Sequence, residues 1–136
     1  MAKAEVIDIV QSAVARELAA LTQYMWQHVI AVGLESGGIK GIFKEVAIAE
    51  MKHAETFAER LDFFGEIPTT KPAKITVNQD LKQMLRDDIE IEKEAIEMYK
   101  KAIELCKDDP GTRHLFEDIL LDEEEHLNEW TSLLNE

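Results

Sequence analysis

The sequence predicts an all-α protein, a four-helix bundle with a long crossover between its second and third helices. Three observations carry that prediction. Apolar residues recur at three- and four-residue spacing along four stretches, the pattern of helices that each turn one face to a core. Segments rich in glycine or proline separate those stretches. The middle segment, Glu66 to Val77, is longer than a turn between antiparallel neighbours needs.

The first helix is predicted from about Ala4 to Val32, with Val6, Ile9, Val10, Ala13, Val14, Leu18, Leu21, Met25 and Val29 forming its apolar stripe. Glu17 lies inside that stripe. Gly33, Gly37, Gly38 and Gly41 mark a break, after which a second helix carries Phe43, Val46, Ala47, Met51, Ala54, Phe57, Ala58 and Leu61 and stops at Gly65. Pro68 and Pro72 make Glu66 to Val77 an extended connection. Stretched out it covers roughly 40 Å, close to the length of about 45 Å expected for the third helix. Such a linker lets helices two and three lie parallel, whereas an up-down-up-down bundle needs only a short loop. The third helix runs from about Asn78, its expected N-cap, to Lys107. A turn at Asp108-Asp109-Pro110-Gly111 opens the fourth, which ends near Leu134. The two short connections make helices one and two, and three and four, antiparallel hairpins.

A weak repeat relates the hairpins. Glu17 is followed by Ala20, Leu21 and Tyr24, and Glu92 by Ala95, Ile96 and Tyr99. Each half then adds a Glu-x-x-His pair, Glu50/His53 and Glu123/His126. Residues three apart share a helix face and can present a carboxylate and an imidazole to one metal. Glutamate makes up 19 of 136 residues, so a given histidine has a glutamate three places upstream by composition about one time in seven. Two pairs, each following a helix with a glutamate inside its stripe, form the ligand set of a dinuclear carboxylate site in a bundle core. The expected metal ligands are Glu17, Glu50, His53, Glu92, Glu123 and His126, with Glu50 and Glu123 bridging. Hard carboxylates with two imidazoles suit two iron ions or manganese, and zinc can take the same ligands in a purified sample.

The remaining composition narrows the function classes. One domain spanning 1-136 is expected, with 46% hydrophobic residues sufficient for a core. A formal charge of -13 argues against binding the phosphates of nucleic acid and favours cations. The single cysteine, Cys106, cannot form an internal disulfide and reads as a small core residue. No secretory pattern or membrane-length apolar run is visible, so a soluble cytoplasmic protein is expected. Tyr24 and Tyr99, each seven residues beyond a candidate ligand, are placed to hydrogen-bond a carboxylate or donate an electron, and Tyr24 is the expected catalytic residue. His28 is about 16 Å along the helix from Glu17, too far to be a ligand. His114 reads as a surface histidine, and Trp26 and Trp130 as packing residues. In the acidic runs, Asp87, Asp88, Glu124 and Glu125 read as solvated, as do Glu90 and Glu94.

Arg16-Glu17-Leu18-Ala19-Ala20-Leu21-Thr22-Gln23-Tyr24, Glu50-Met51-Lys52-His53-Ala54, Arg86 to Glu92 and Asp122-Glu123-Glu124-Glu125-His126 resemble bacterioferritin in order and spacing. The resemblance covers about Val6 to Leu134 and implies a ferritin-like four-helix bundle whose ferroxidase centre uses the six residues above, with Tyr24 as its nearby tyrosine. It implies oxidation of Fe(II) by O2 or H2O2 for iron storage or detoxification. It also places Met51 where bacterioferritins supply the axial methionine of haem b shared across a twofold interface. Met51 lies about 100° around the second helix from Glu50 and should point sideways. The sequence stops at Glu136, short of the fifth helix that lines the fourfold channels of the 24-subunit cage, and the expected partner is a second copy in a homodimer or larger homo-oligomer. A rubrerythrin-like peroxide reductase shares both Glu-x-x-His pairs, but its further helix-three glutamate corresponds to Ala95 here, and Cys-x-x-Cys pairs are lacking. A non-enzymatic metal-binding bundle is the other alternative.

Overall fold

A computed structural model describes residues 3–136, in which four helices and no strands occur. They are α1 (Ala4–Ile30), α2 (Ser36–Phe63), α3 (Leu81–Leu105) and α4 (Pro110–Leu134). No described helix is long and apolar enough to cross a membrane.

Helix α1 stops two residues before the expected Val32, and α2 begins at Ser36, so Gly37, Gly38 and Gly41 are helical and do not form a break. Tertiary contacts outweigh the low helix propensity of glycine here. Ser36 Oγ donates to Gly33 O at 2.7 Å, Lys40 Nζ donates to Ala31 O at 3.0 Å, and His28 Nδ1 lies 2.7 Å from Lys40 O. These bonds pin the first turns of α2 to the end of α1. The chain reverses at Gly33, whose φ of 106° favours glycine. At the other end of α2, Gly65 has φ 80°, its N–H donates to Asp62 O, and Glu66 N–H donates to Leu61 O, both at 2.9 Å. That paired bonding satisfies the last carbonyls and ends the helix as the sequence predicts.

The crossover lies along α1. Gln11 Nε2 donates to Ile67 O at 2.8 Å and Gln11 Oε1 accepts from Thr69 N at 2.9 Å, while Ala73 N donates to Ala15 O at 2.9 Å. Farther on, Thr76 N donates to Gln23 Oε1 at 3.0 Å. Crossover and α1 therefore advance together, and the chain returns to the end of the bundle from which α2 set out. Asp80 caps α3, accepting from Gln83 N at 3.0 Å, so the cap falls two residues after the expected Asn78, whose amide is engaged by Asp87. The expected turn opens α4: Asp109 accepts from Thr112 N at 3.2 Å, with Pro110 in the first helical position.

The buried face of α1 departs from the predicted stripe in its last third. Met25 and Val29 are 38% and 64% exposed, whereas Gln23, Tyr24, Gln27 and Ala31 are buried. Steps of four from Leu21 overshoot a 3.6-residue turn by about 40° each, and the stripe drifts off the core. Two glutamines thus face inward, and their amide groups converge on Asp88 Oδ1 at 2.8 and 2.7 Å. Asp88 is fully buried, which corrects its reading as a solvated acid. Burial pushes its carboxyl well above the ordinary range, even though the two amides act in the opposite direction.

Two apolar clusters fill the bundle, one around Val10, Phe57, Leu61, Tyr99 and Phe116, the other around Tyr24, Phe43, Met84, Leu85 and Trp130. Cys106 belongs to the first, as a buried free thiol. Between them lies a layer of charge.

Candidate metal centre

Each helix delivers one carboxylate to that layer: Glu17 from α1, Glu50 from α2, Glu92 from α3 and Glu123 from α4, all with no exposure to solvent. His53 is buried beside them, and His126 is half-buried. Two overlapping groups form, each with its ligand atoms within 4.8 Å of one another: Glu17, Glu50, His53 and Glu123 in one, and Glu50, Glu92, Glu123 and His126 in the other. Only Glu50 and Glu123 belong to both. The two imidazole centroids are 6.1 Å apart. Helix geometry accounts for the local part, since the i,i+3 spacing brings Nδ1 of each histidine to 2.9 Å from its own pair's glutamate.

The tyrosines connect the halves. Tyr24 on α1 donates to Glu92 Oε2 at 2.7 Å, and Tyr99 on α3 donates to Glu17 Oε2. Each tyrosine therefore crosses to the glutamate of the opposite hairpin, as a pseudo-twofold repeat requires. Burial first, then the neighbouring glutamate's charge, pushes both phenols well above their ordinary pKa and keeps them donors. Trp130 Nε1 lies 3.3 Å from Glu92 Oε2 and donates to it, a polar contact beyond the packing role expected from sequence. Outside the layer, Asp122 lies 2.8 Å from His53 Nε2 and orients the ring so that Nδ1 faces inward.

Sequence reasoning missed Arg16. Its guanidinium sits among all four carboxylates: Nη1 is 2.8 Å from Glu17, 2.6 Å from Glu50 and 2.5 Å from Glu123, and Nη2 is 2.8 Å from Glu92. An arginine beside a ligand, about 100° around the helix, reads as an outward charge. Only its long side chain, curling back into the layer, brings the charge inside. Asp122 was equally hidden, being 69 residues from His53 in the chain.

The electrostatics divide the carboxylates into two kinds. Burial works against ionisation of Glu17 and Glu92, but Arg16 with His53 at the first, and Arg16 with His126 and Tyr24 at the second, prevail and hold both below the usual carboxylate range. Glu50 and Glu123 go the other way. Burial pushes both well above that range, reinforced at Glu50 by Glu123 and Glu17 and, at Glu123, by Glu17 and Glu92 against the opposing charge of Arg16. Burial disfavours the imidazolium of each histidine, yet the surrounding carboxylates raise both pKa values.

The donor set fits divalent metal. Burying four carboxylates costs several kcal/mol per ion unless cations or protons neutralise them, and a cation already stands among them in the form of the Arg16 guanidinium. Glu50 Oε1 is buried and, although His53 Nδ1 lies 2.9 Å away, accepts no aligned hydrogen bond among the described residues, which leaves a lone pair for an ion. Glu17, Glu50, His53 and Glu123 could hold one metal, and Glu50, Glu92, Glu123 and His126 the second.

The other candidates lie outside the layer. Met51 is half exposed on the outer face of α2. His114 is exposed, 3.2 Å from Asp118. Glu90, Glu94, Glu124 and Glu125 face solvent.

Residues 7–136 match the family model described as a ferritin-like domain. The bacterioferritin of Desulfovibrio desulfuricans is 37% identical over 134 residues, covering 96% of this chain and 75% of that protein. The bacterioferritin of Brucella melitensis is 32% identical over 130 residues, covering 91% and 79%. Among solved structures, the Desulfovibrio desulfuricans bacterioferritin, described with a diiron site in different catalytic states, superposes with a TM-score of 0.91 at 36% identity over 97% of this chain and 79% of that one. The bacterioferritin BfrA of Mycobacterium tuberculosis shares the fold, with a TM-score of 0.93 at 22% identity over 99% and 87%.

Proposed function

The chain belongs to the bacterioferritin family of ferritin-like domains, and we propose that it oxidises Fe(II) at a dinuclear centre, in the service of iron storage or detoxification. The observation that carries this reading is the pair of overlapping ligand groups, buried in mid-bundle and sharing Glu50 and Glu123. Iron is the substrate. Two Fe(II) ions give up one electron each, and O2 takes both with two protons to become H2O2; when H2O2 is the oxidant, the same electrons and two protons yield two waters.

The protein's own part is binding and orientation. Glu17 with His53, and Glu92 with His126, are the terminal ligands of the two positions, while Glu50 and Glu123 hold the ions together. Tyr24 fixes the Glu92 carboxylate through its hydrogen bond of 2.7 Å. The apolar clusters on either side of the layer keep bulk water from the ions.

Anaerobic protein loaded with Fe(II) and mixed with O2 or H2O2 should develop ferric absorbance within seconds, and Glu50→Ala or Glu123→Ala should abolish the fast phase while far-UV circular dichroism stays helical. Wild-type rates in both variants would refute the bridging roles. Uptake of iron with no oxidation in the wild type would favour a non-enzymatic metal-binding bundle.

Met51, half exposed on the outer face of α2, supports a second element of the proposal: a homodimer in which Met51 and its symmetry mate would hold haem b. Light scattering that returns a monomer defeats the dimer. A Soret band in protein expressed with haem precursor, lost in Met51→Leu, supports the haem, and its absence from the wild type removes it.

A further inference from the structure

We propose that Arg16 is a displaceable internal counter-cation, which occupies the space where the two metal positions converge and must leave it when both are filled. The inference rests on the dinuclear reading above. Nη1 lies within 2.8 Å of an oxygen from each of Glu17, Glu50 and Glu123, and so stands between the two carboxylates common to both ligand groups. Nη2 takes the fourth carboxylate, Glu92, at 2.8 Å. A nitrogen bonded to three ligand oxygens leaves no room for an ion coordinated by the same atoms. Charge gives the same answer. Two divalent ions match four carboxylates, and a retained guanidinium would leave one uncompensated positive charge in a buried layer.

The pose is also incomplete in a way that makes displacement feasible. Arg16 Nε is buried and finds no hydrogen-bond partner among the described residues, so the guanidinium is held by only part of its donor fork. A planar fork of fixed geometry suits two carboxylates and not a convergent set of four. The metal-free centre is thus held together by a cation that competes directly with the ions it later receives. Whatever factor Arg16 contributes to the metal-free state is subtracted from metal affinity, because a ligand shifts an equilibrium only by its differential interaction with the two states.

Titration with Co(II) under anaerobic conditions tests this without any oxidation step, using the d–d absorption for stoichiometry and calorimetry for affinity. Wild-type protein should bind two Co(II) per chain, and Arg16→Leu should bind the same number about tenfold or more tightly while its metal-free thermal midpoint falls. Arg16→Lys, which keeps the charge without the fork, should lie between them. Should Arg16→Leu be unfolded without metal, Arg16→Gln carries the affinity comparison on the same criteria. One Co(II) per chain in the wild type means that the guanidinium stays in place, which overturns displacement. Two Co(II) with unchanged affinity in the neutral variant overturns the counter-cation role while leaving the metal centre intact. No uptake by either protein sinks both.

Discussion

At Glu92, donors from two different helices meet on one carboxylate oxygen, Tyr24 Oη at 2.7 Å and Trp130 Nε1 at 3.3 Å, while Glu17 receives Tyr99 from across the bundle. Partners of this kind fix the angle at which a ligand meets its ion, and their removal typically lowers metal affinity or activity about 10- to 100-fold. Tyr24→Phe and Tyr99→Phe should each weaken Co(II) binding within that range, and the double variant should show two distinct weakened sites. Equal affinities in wild type and both single variants would show the hydroxyls to be bystanders. The difference between these residues and the Glu-x-x-His pairs also explains what was legible in advance. A carboxylate and a histidine three apart are brought together by one helical turn, so the chain alone declares them. Tyr99 meets Glu17 across 82 residues, and Arg16 reaches Glu123 across 107. No local rule encodes such meetings; they follow only once the hairpins are docked.

Among the elements, α4 was the most readable in advance, because its start signal is chemical. Asp109 caps α4 through Thr112, and Arg60 lies 3.2 Å from it. Burial would raise the Asp109 carboxyl, but the Thr112 hydrogen bonds and the charge of Arg60 hold it below the ordinary value. The folded state therefore gains from its ionised form above the unfolded pKa, about 3.9, and loses that gain as pH falls through the lower folded value. Asp109→Ala should cost about 1 kcal/mol at pH 7, measured by urea unfolding, and the difference from wild type should shrink as pH falls below the unfolded aspartate value of about 3.9. A penalty independent of pH would assign the loss to packing. The start of α2 was misjudged for the opposite reason, since glycines argue against helix and only contacts with α1 overrule them. A Cβ at Gly41 would meet nothing within 4 Å, so Gly41→Ala should stabilise the protein by about 0.5–1 kcal/mol through helix propensity alone. An unchanged urea midpoint would mean that this turn is frayed in solution.

For the whole molecule, topology was legible because linker length, helix length and the short turns admit few arrangements, whereas the exact buried face of α1 depended on drift that composition does not show. Metal should act on this architecture by mass action, adding about 2.7 kcal/mol per occupied site when free ion is at one hundred times its Kd. The distribution of ligands gives that number a mechanical meaning. On the proposed dinuclear reading each metal position would draw three donors from one hairpin and one from the other: Glu123 would complete the set of Glu17, Glu50 and His53, and Glu50 that of Glu92, Glu123 and His126. Two bound ions would therefore rivet two half-proteins that the chain joins covalently only through the crossover, where Lys74 is exposed to a protease. A molecule cut there should stay whole on gel filtration when loaded with Co(II), and its halves should part at lower urea after chelation. Separation at the same urea concentration in both states would mean that apolar packing alone holds the halves together. With the rivets in place, a severed backbone need not end the life of the fold.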